Sequence, residues 1–145
     1  LTGTPDVLND DFVLDVKSSY DATTFPWFKK DIPNKDYYYQ LQGYMELTGR
    51  RKAYLVYCLV DTPSDIVEDE VRRVHYKLKE IEDNPIVRNA VEMQHNFDRV
   101  PKEHRIKCYE IDYDAEAIEK IYERVKECRE YYETLIHEQF KIESI

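Results

Sequence analysis

The eight residues Ala53–Val60, AYLVYCLV, are almost wholly apolar and lie between the basic run Arg50-Arg51-Lys52 and Asp61. A run this short, rich in β-branched and aromatic side chains, fits a strand buried on both faces. Such a strand belongs at the centre of a sheet that helices cover, and the downstream sequence supplies them. Thr62-Pro63-Ser64-Asp65 reads as a helix start, with Thr62 as cap, Pro63 at the first position and Asp65 in the first turn. Val67, Val71, Val74, Leu78 and Ile81 then recur at steps of four and three and form one apolar stripe. His75 lies beside that stripe and reads as structural, since no second histidine is spaced to join it as a metal ligand.

Asn84-Pro85 breaks the chain, and a weaker amphipathic helix is predicted over Ile86 to Phe97. Arg88, His95 and Arg99 read as surface residues. Pro101 to His104 is a loop, and Arg105 to Tyr113 alternates as a strand does. Asp114 caps a last helix whose Ile118, Ile121, Val125, Cys128, Tyr132 and Leu135 form a long apolar stripe, there to cover a sheet or meet a partner subunit. The expected class is therefore α/β, a central mixed β-sheet flanked by helices. With 145 residues, it is expected to form a single domain, 1–145.

No apolar run approaches the ~20 residues of a membrane span, and no signal-peptide pattern opens the chain, so a soluble cytoplasmic protein is expected. Cys58, Cys108 and Cys128 are odd in number and far apart. They suggest neither a disulfide framework nor zinc, and they read as buried thiols.

The opening stretch Gly3–Lys17, GTPDVLNDDFVLDVK, carries the chemistry. Asn9-Asp10-Asp11 is a turn between two short candidate strands. Side chains alternate faces along a strand, so Asp15 and Lys17 share one face while Leu14 and Val16 take the other. Asp6 can converge on Asp15 across the hairpin. Two carboxylates beside one ammonium suit a hard divalent cation that keeps several waters and binds phosphate oxygens. That combination points to phosphodiester hydrolysis.

A helix is predicted from Asp36, as N-cap, to Leu47-Thr48, with Gly49 as its stop. Gln40 and Tyr44, four residues apart, stand on one of its faces. Between the hairpin and this helix, Phe25, Trp27 and Phe28 have two readings: aromatics that anchor a loop to the core, or rings that stack on bases.

Gly3-Thr4-Pro5-Asp6, then Asp15-Val16-Lys17, then Gln40-Leu41-Gln42-Gly43-Tyr44 resemble, in order and spacing, the motifs of the PD-(D/E)XK nucleases. The match is to the RecB-like and lambda-exonuclease-like branch with its Q-x-x-x-Y motif, and in particular to the YqaJ-type phage recombination exonucleases. The resemblance is detailed up to about Val60. It implies a restriction-endonuclease-like core in which Asp6, Asp15 and the Val16 carbonyl hold Mg²⁺ or Mn²⁺. It implies that Lys17 orients water, that Gln40 bonds near the metal, and that Tyr44 orients Lys17 or a phosphate. It further implies a metal-dependent exonuclease acting on double-stranded DNA with a free end, phage-encoded, as a homo-oligomer beside a recombination partner protein. Relatives carry helices upstream of the first motif, and these are expected from a preceding segment or a second chain. Lacking iron-sulfur cysteine spacing, the chain is not expected to hold such a cluster.

The net charge of −9 opposes phosphate binding, which relies on lysine and arginine. A basic mouth at Lys29, Lys30, Lys35 and Arg50-Arg51-Lys52 on an acidic body would still steer DNA locally. The rival reading is a non-catalytic module, derived from a nuclease core, that binds nucleic acid or protein.

Overall fold

A computed structural model describes residues 1–79 and 83–140. Its elements follow the order β1 (Val7–Leu8), β2 (Val13–Ser18), α1 (Lys35–Thr48), β3 (Lys52–Cys58), α2 (Ser64–Leu78), α3 (Pro85–His95), a 3₁₀ turn (Lys102–His104), β4 (Ile106–Asp112) and α4 (Ala115–Phe140). The four strands form one sheet in sequence order. β1 and β2 are antiparallel. The Ser19 N–H donates to Cys58 O, which brings the carboxyl ends of β2 and β3 together, so these two run parallel. The Leu59 N–H donates to Arg105 O and the Tyr113 N–H to Arg51 O, so β3 and β4 run antiparallel. The class is thus α/β with a mixed sheet flanked by helices, and β3 is an inner strand, as the apolar octet requires.

The octet is not buried on both faces. Ala53, Leu55 and Tyr57 are buried, whereas Lys52, Tyr54, Val56 and Cys58 between them are half-buried. Tyr54 uses this second face for an edge-on contact with Phe12 at 5.0 Å and a hydrogen bond to Glu110.

The chain divides into two compact units, 1–15 with 34–54 and 110–145, and 16–33 with 55–109. In the first, α1 packs on α4. Asn34, not Asp36, is the N-cap of α1, its side chain accepting from the Asp36 N–H. Asp36 sits instead in the first turn, where its charge suits the helix dipole. Gly49 ends the helix in the left-handed region, φ 72°, as expected for a residue without Cβ. Gln42 is wholly buried. Its amide donates to Asp112 O and accepts from the Asp114 N–H, both at 2.8 Å. Asp114 caps α4 as expected, accepting from Glu116 N–H and Ala117 N–H, and takes a 2.7 Å bond from the Tyr38 hydroxyl.

Among the described side chains of α4, those of Ala117 and Ile118 at its start are the buried ones. Cys128 and Tyr132 of the expected stripe are exposed.

In the second unit α2 packs on α3. Thr62 does not cap α2, which starts after Pro63 with no side-chain cap. The Thr62 hydroxyl donates instead to Tyr20 O at 3.1 Å and therefore accepts from His95 Nδ1 at 3.0 Å. His95 is consequently buried, 3% exposed, rather than a surface residue. Leu78 is exposed and does not join the stripe, and Ile81 lies outside the described residues. His75 is structural: Nδ1 donates to Val71 O and Nε2 accepts from the Asn84 N–H, each at 2.8 Å, tying α2 to the start of α3. Arg88 is engaged with Glu68 and Asp83. The cysteines are not buried: Cys58 is half-buried and Cys108 and Cys128 are exposed. Among the described residues no helix is long and apolar enough to cross a membrane.

Candidate active site

The hairpin expected at Asn9 forms. The Asn9 side chain accepts from the backbone of Asp11 and Phe12, at 2.9 and 2.7 Å, which is the local bonding that makes asparagine a turn residue. Its register pairs Val7 with Leu14 and Leu8 with Val13. The residues next in line beyond those pairs are Asp6, in the bend before β1, and Asp15, within β2. Asp15 is 3% exposed, and Asp6 stands at solvent in the bend before β1. Along β2, Val13 and Asp15 are buried and Lys17 is half-buried, while Val16 between them is exposed. Asp15 and Lys17 therefore lie on one side of the strand, as alternation dictates.

On α1, Gln40 Nε2 donates to the Tyr44 hydroxyl at 2.7 Å. With its oxygen already accepting, that hydroxyl keeps its own proton to donate elsewhere. Tyr44 is buried, and its backbone carbonyl receives the Thr48 hydroxyl at 2.7 Å. Gly3 fixes the ring from the other side: a Cβ there would lie 2.7 Å from the ring carbon Cε1. Only glycine allows the backbone so close. The opening motif and the Q-x-x-x-Y helix are thus packed together through Gly3 and Tyr44.

The donor set that the resemblance names, the Asp6 and Asp15 carboxylates and the Val16 carbonyl, is all oxygen. It fits a hard ion that retains water. No group of three or more His, Cys, Asp or Glu side chains able to hold a metal ion occurs among the described residues, so such an ion would draw the rest of its shell from backbone, water and substrate.

The expected basic mouth is only partly available. Arg50 donates to Asn9 O and Thr48 O at 2.7 and 2.9 Å, bracing the hairpin turn against the end of α1. Arg51 lies 3.9 Å over the Tyr113 ring, and Lys52 is paired with Glu110. Lys29, Lys30 and Lys35 are exposed.

Two features escaped sequence reasoning. These are the close approach of Gly3 to the Tyr44 ring and the burial of Gln42. A polar residue four positions after Tyr38 and three before Met45, on the helix side that carries the core, was the available signal for Gln42.

An antiparallel hairpin that leads from Asp6 to Asp15, a crossover through α1 bearing Gln40 and Tyr44, and a mixed α/β sheet carry the motifs that resemble those of the PD-(D/E)XK nucleases. Among solved structures, the chain is similar to a phage related exonuclease from Haemophilus somnus 129PT, with 27% identity and a TM-score of 0.66. The similarity covers 88% of this chain and 51% of that one, so the chain spans about half the length of its relative. No protein-family model and no curated protein matches it.

Proposed function

We propose that this chain is a metal-dependent nuclease that hydrolyses DNA phosphodiesters, working as an exonuclease from duplex ends. What supports the reading is a hairpin that joins the segment carrying Asp6 to a strand carrying a buried Asp15, together with the similarity to a phage related exonuclease. Asp6, Asp15 and the Val16 carbonyl would hold Mg²⁺ or Mn²⁺. When bound, such an ion polarises the phosphoryl oxygen and makes a coordinated water more acidic.

The remaining work falls to the protein's own groups. Lys17, a compact ammonium with three donors, orients the attacking water and offsets charge that develops on the phosphoryl oxygens. Tyr44, its oxygen engaged by Gln40, directs its hydroxyl proton at a phosphate oxygen. The burial of Asp15 holds one carboxylate in a fixed position, so little reorganisation is needed as charge shifts.

The test uses end-labelled linear DNA and closed circular DNA, with Mg²⁺ or with a chelator. Loss of the linear species alone, in Mg²⁺ alone, is the expected result. Asp15→Asn abolishes that loss while leaving the circular dichroism spectrum unchanged. Cutting of the circle identifies an endonuclease, and retention of DNA without cutting identifies a binding module. Full activity in Asp15→Asn removes Asp15 from the reaction.

A further inference from the structure

The loop between β2 and α1 carries three aromatic residues and treats them differently. Phe25 is buried, and Trp27 is half-buried, stacked edge-on to Phe25 at 4.7 Å with its indole N–H donating to Ala22 O at 2.7 Å. These two take the anchoring role. Phe28 does the reverse and is 96% exposed.

The backbone beneath Phe28 is held on both sides. Asp21 Oδ1 accepts from Thr23 N–H, Thr23 hydroxyl and Thr24 N–H at 2.8 to 2.9 Å, while the Thr24 hydroxyl donates to Asp21 O at 3.0 Å. These bonds, with burial as the opposing influence, hold the Asp21 carboxyl below its ordinary range. Beyond Phe28, the Tyr109 hydroxyl donates to Lys29 O at 3.1 Å, and a turn closes from the Lys29 N–H to Pro26 O. A loop this well tied could have turned all three rings inward. It presents one to water, followed at once by the exposed Lys29 and Lys30. A cleft of about 410 Å³ opens beside it, between Thr23, Trp27, Phe28 and Pro33.

We propose that Phe28 is a stacking platform for an unpaired nucleobase, with Lys29 and Lys30 meeting the adjoining phosphates. The chemistry is specific in class and indifferent in sequence, because every base offers a π-face and every nucleotide a phosphate. Two exposed lysines directly after Phe28, against the single Asp31 that follows them, favour a polyanion over an apolar protein surface as the occupant. The loop backbone is already hydrogen-bonded on both sides of Phe28, which lowers the ordering cost of stacking. The proposal rests on the nucleic-acid reading above and adds to it that single-stranded DNA, such as a frayed or resected end, is gripped by this loop.

The experiment measures binding in chelator, where no hydrolysis enters, of a single-stranded oligonucleotide containing 2-aminopurine. Four proteins are compared: wild type, Phe28→Ala, Phe28→Leu and Phe28→Tyr. Wild type quenches the 2-aminopurine emission. Phe28→Ala and Phe28→Leu bind on the order of tenfold more weakly and lose the quench, whereas Phe28→Tyr keeps both within about twofold, since stacking requires a ring. Equal binding by Phe28→Ala overturns the proposal, and so does full binding by Phe28→Leu, which would make the contact merely apolar. Absence of binding by wild type, with Phe28→Ala altering self-association in sedimentation, assigns the ring to a protein contact instead. Cleavage of linear DNA in Mg²⁺ is scored separately. Failure at Phe28 with cleavage intact therefore leaves the nuclease reading standing, and loss of cleavage in every protein with normal quenching strikes that reading alone.

Discussion

At the scale of single residues, Gly3 tests the packing of the candidate site without touching a carboxylate. A methyl group at position 3 would meet the Tyr44 ring at 2.7 Å, well inside contact distance, so the ring or the opening segment must shift. Displacements of this order misplace positioned groups, and a loss of roughly 100-fold is ordinary for them. Gly3→Ala is therefore expected to lower kcat for linear DNA by about one to two orders of magnitude while the thermal midpoint falls only slightly. Unchanged kcat would mean that the Tyr44 ring has no part in the reaction.

At the scale of elements, α1 and α4 are joined by polar groups as much as by apolar ones. Glu46 accepts from the Tyr113 and Tyr122 hydroxyls at 2.7 and 3.1 Å, and the Gln42 amide bridges the turn that leads into α4. Tyr38 and Asp114 make the titratable link. Burial, and then the bond to the Asp114 carboxylate, push the Tyr38 hydroxyl up to about 12. The Tyr38 hydroxyl, and then the N–H groups at the helix start, hold Asp114 below its ordinary range. The signs follow from linkage. Tyr38 binds its proton more tightly when folded, so its stabilisation is complete below the ordinary tyrosine range near 10 and is lost as pH rises through about 12. Asp114 stabilises the fold above the ordinary aspartate range and ceases to do so as pH falls through its lower native value. In urea unfolding, Tyr38→Phe should be less stable than wild type at neutral pH, with the gap closing at the alkaline end. A gap independent of pH would deny the pair.

At the scale of the whole molecule, charge is the controlling quantity. An acidic chain gains DNA affinity only from the few cations it leaves uncommitted, and Arg50, Arg51 and Lys52 are committed. If two or three phosphates are met by the exposed lysines Lys29, Lys30 and Lys35, raising salt from about 50 to 200 mM should weaken binding roughly ten- to fortyfold. A much steeper dependence would show that the arginine run leaves its internal partners on binding.

The sequence by itself determined what depends on neighbours along the chain. Asn9 at the turn, the alternation that puts Asp15 and Lys17 on one face, the four-residue step from Gln40 to Tyr44, Gly49 at a helix end and Asp114 as a cap are all local, and each was legible because local geometry repeats every two or every 3.6 residues. The tertiary structure decided what depends on groups far apart in sequence. It drew Thr62 away from capping toward Tyr20 and His95, buried His95, gave the arginine run to backbone and ring partners, and seated Tyr44 against Gly3. Burial of a polar group requires a partner, and where partners lie tens of residues away no period in the sequence announces them.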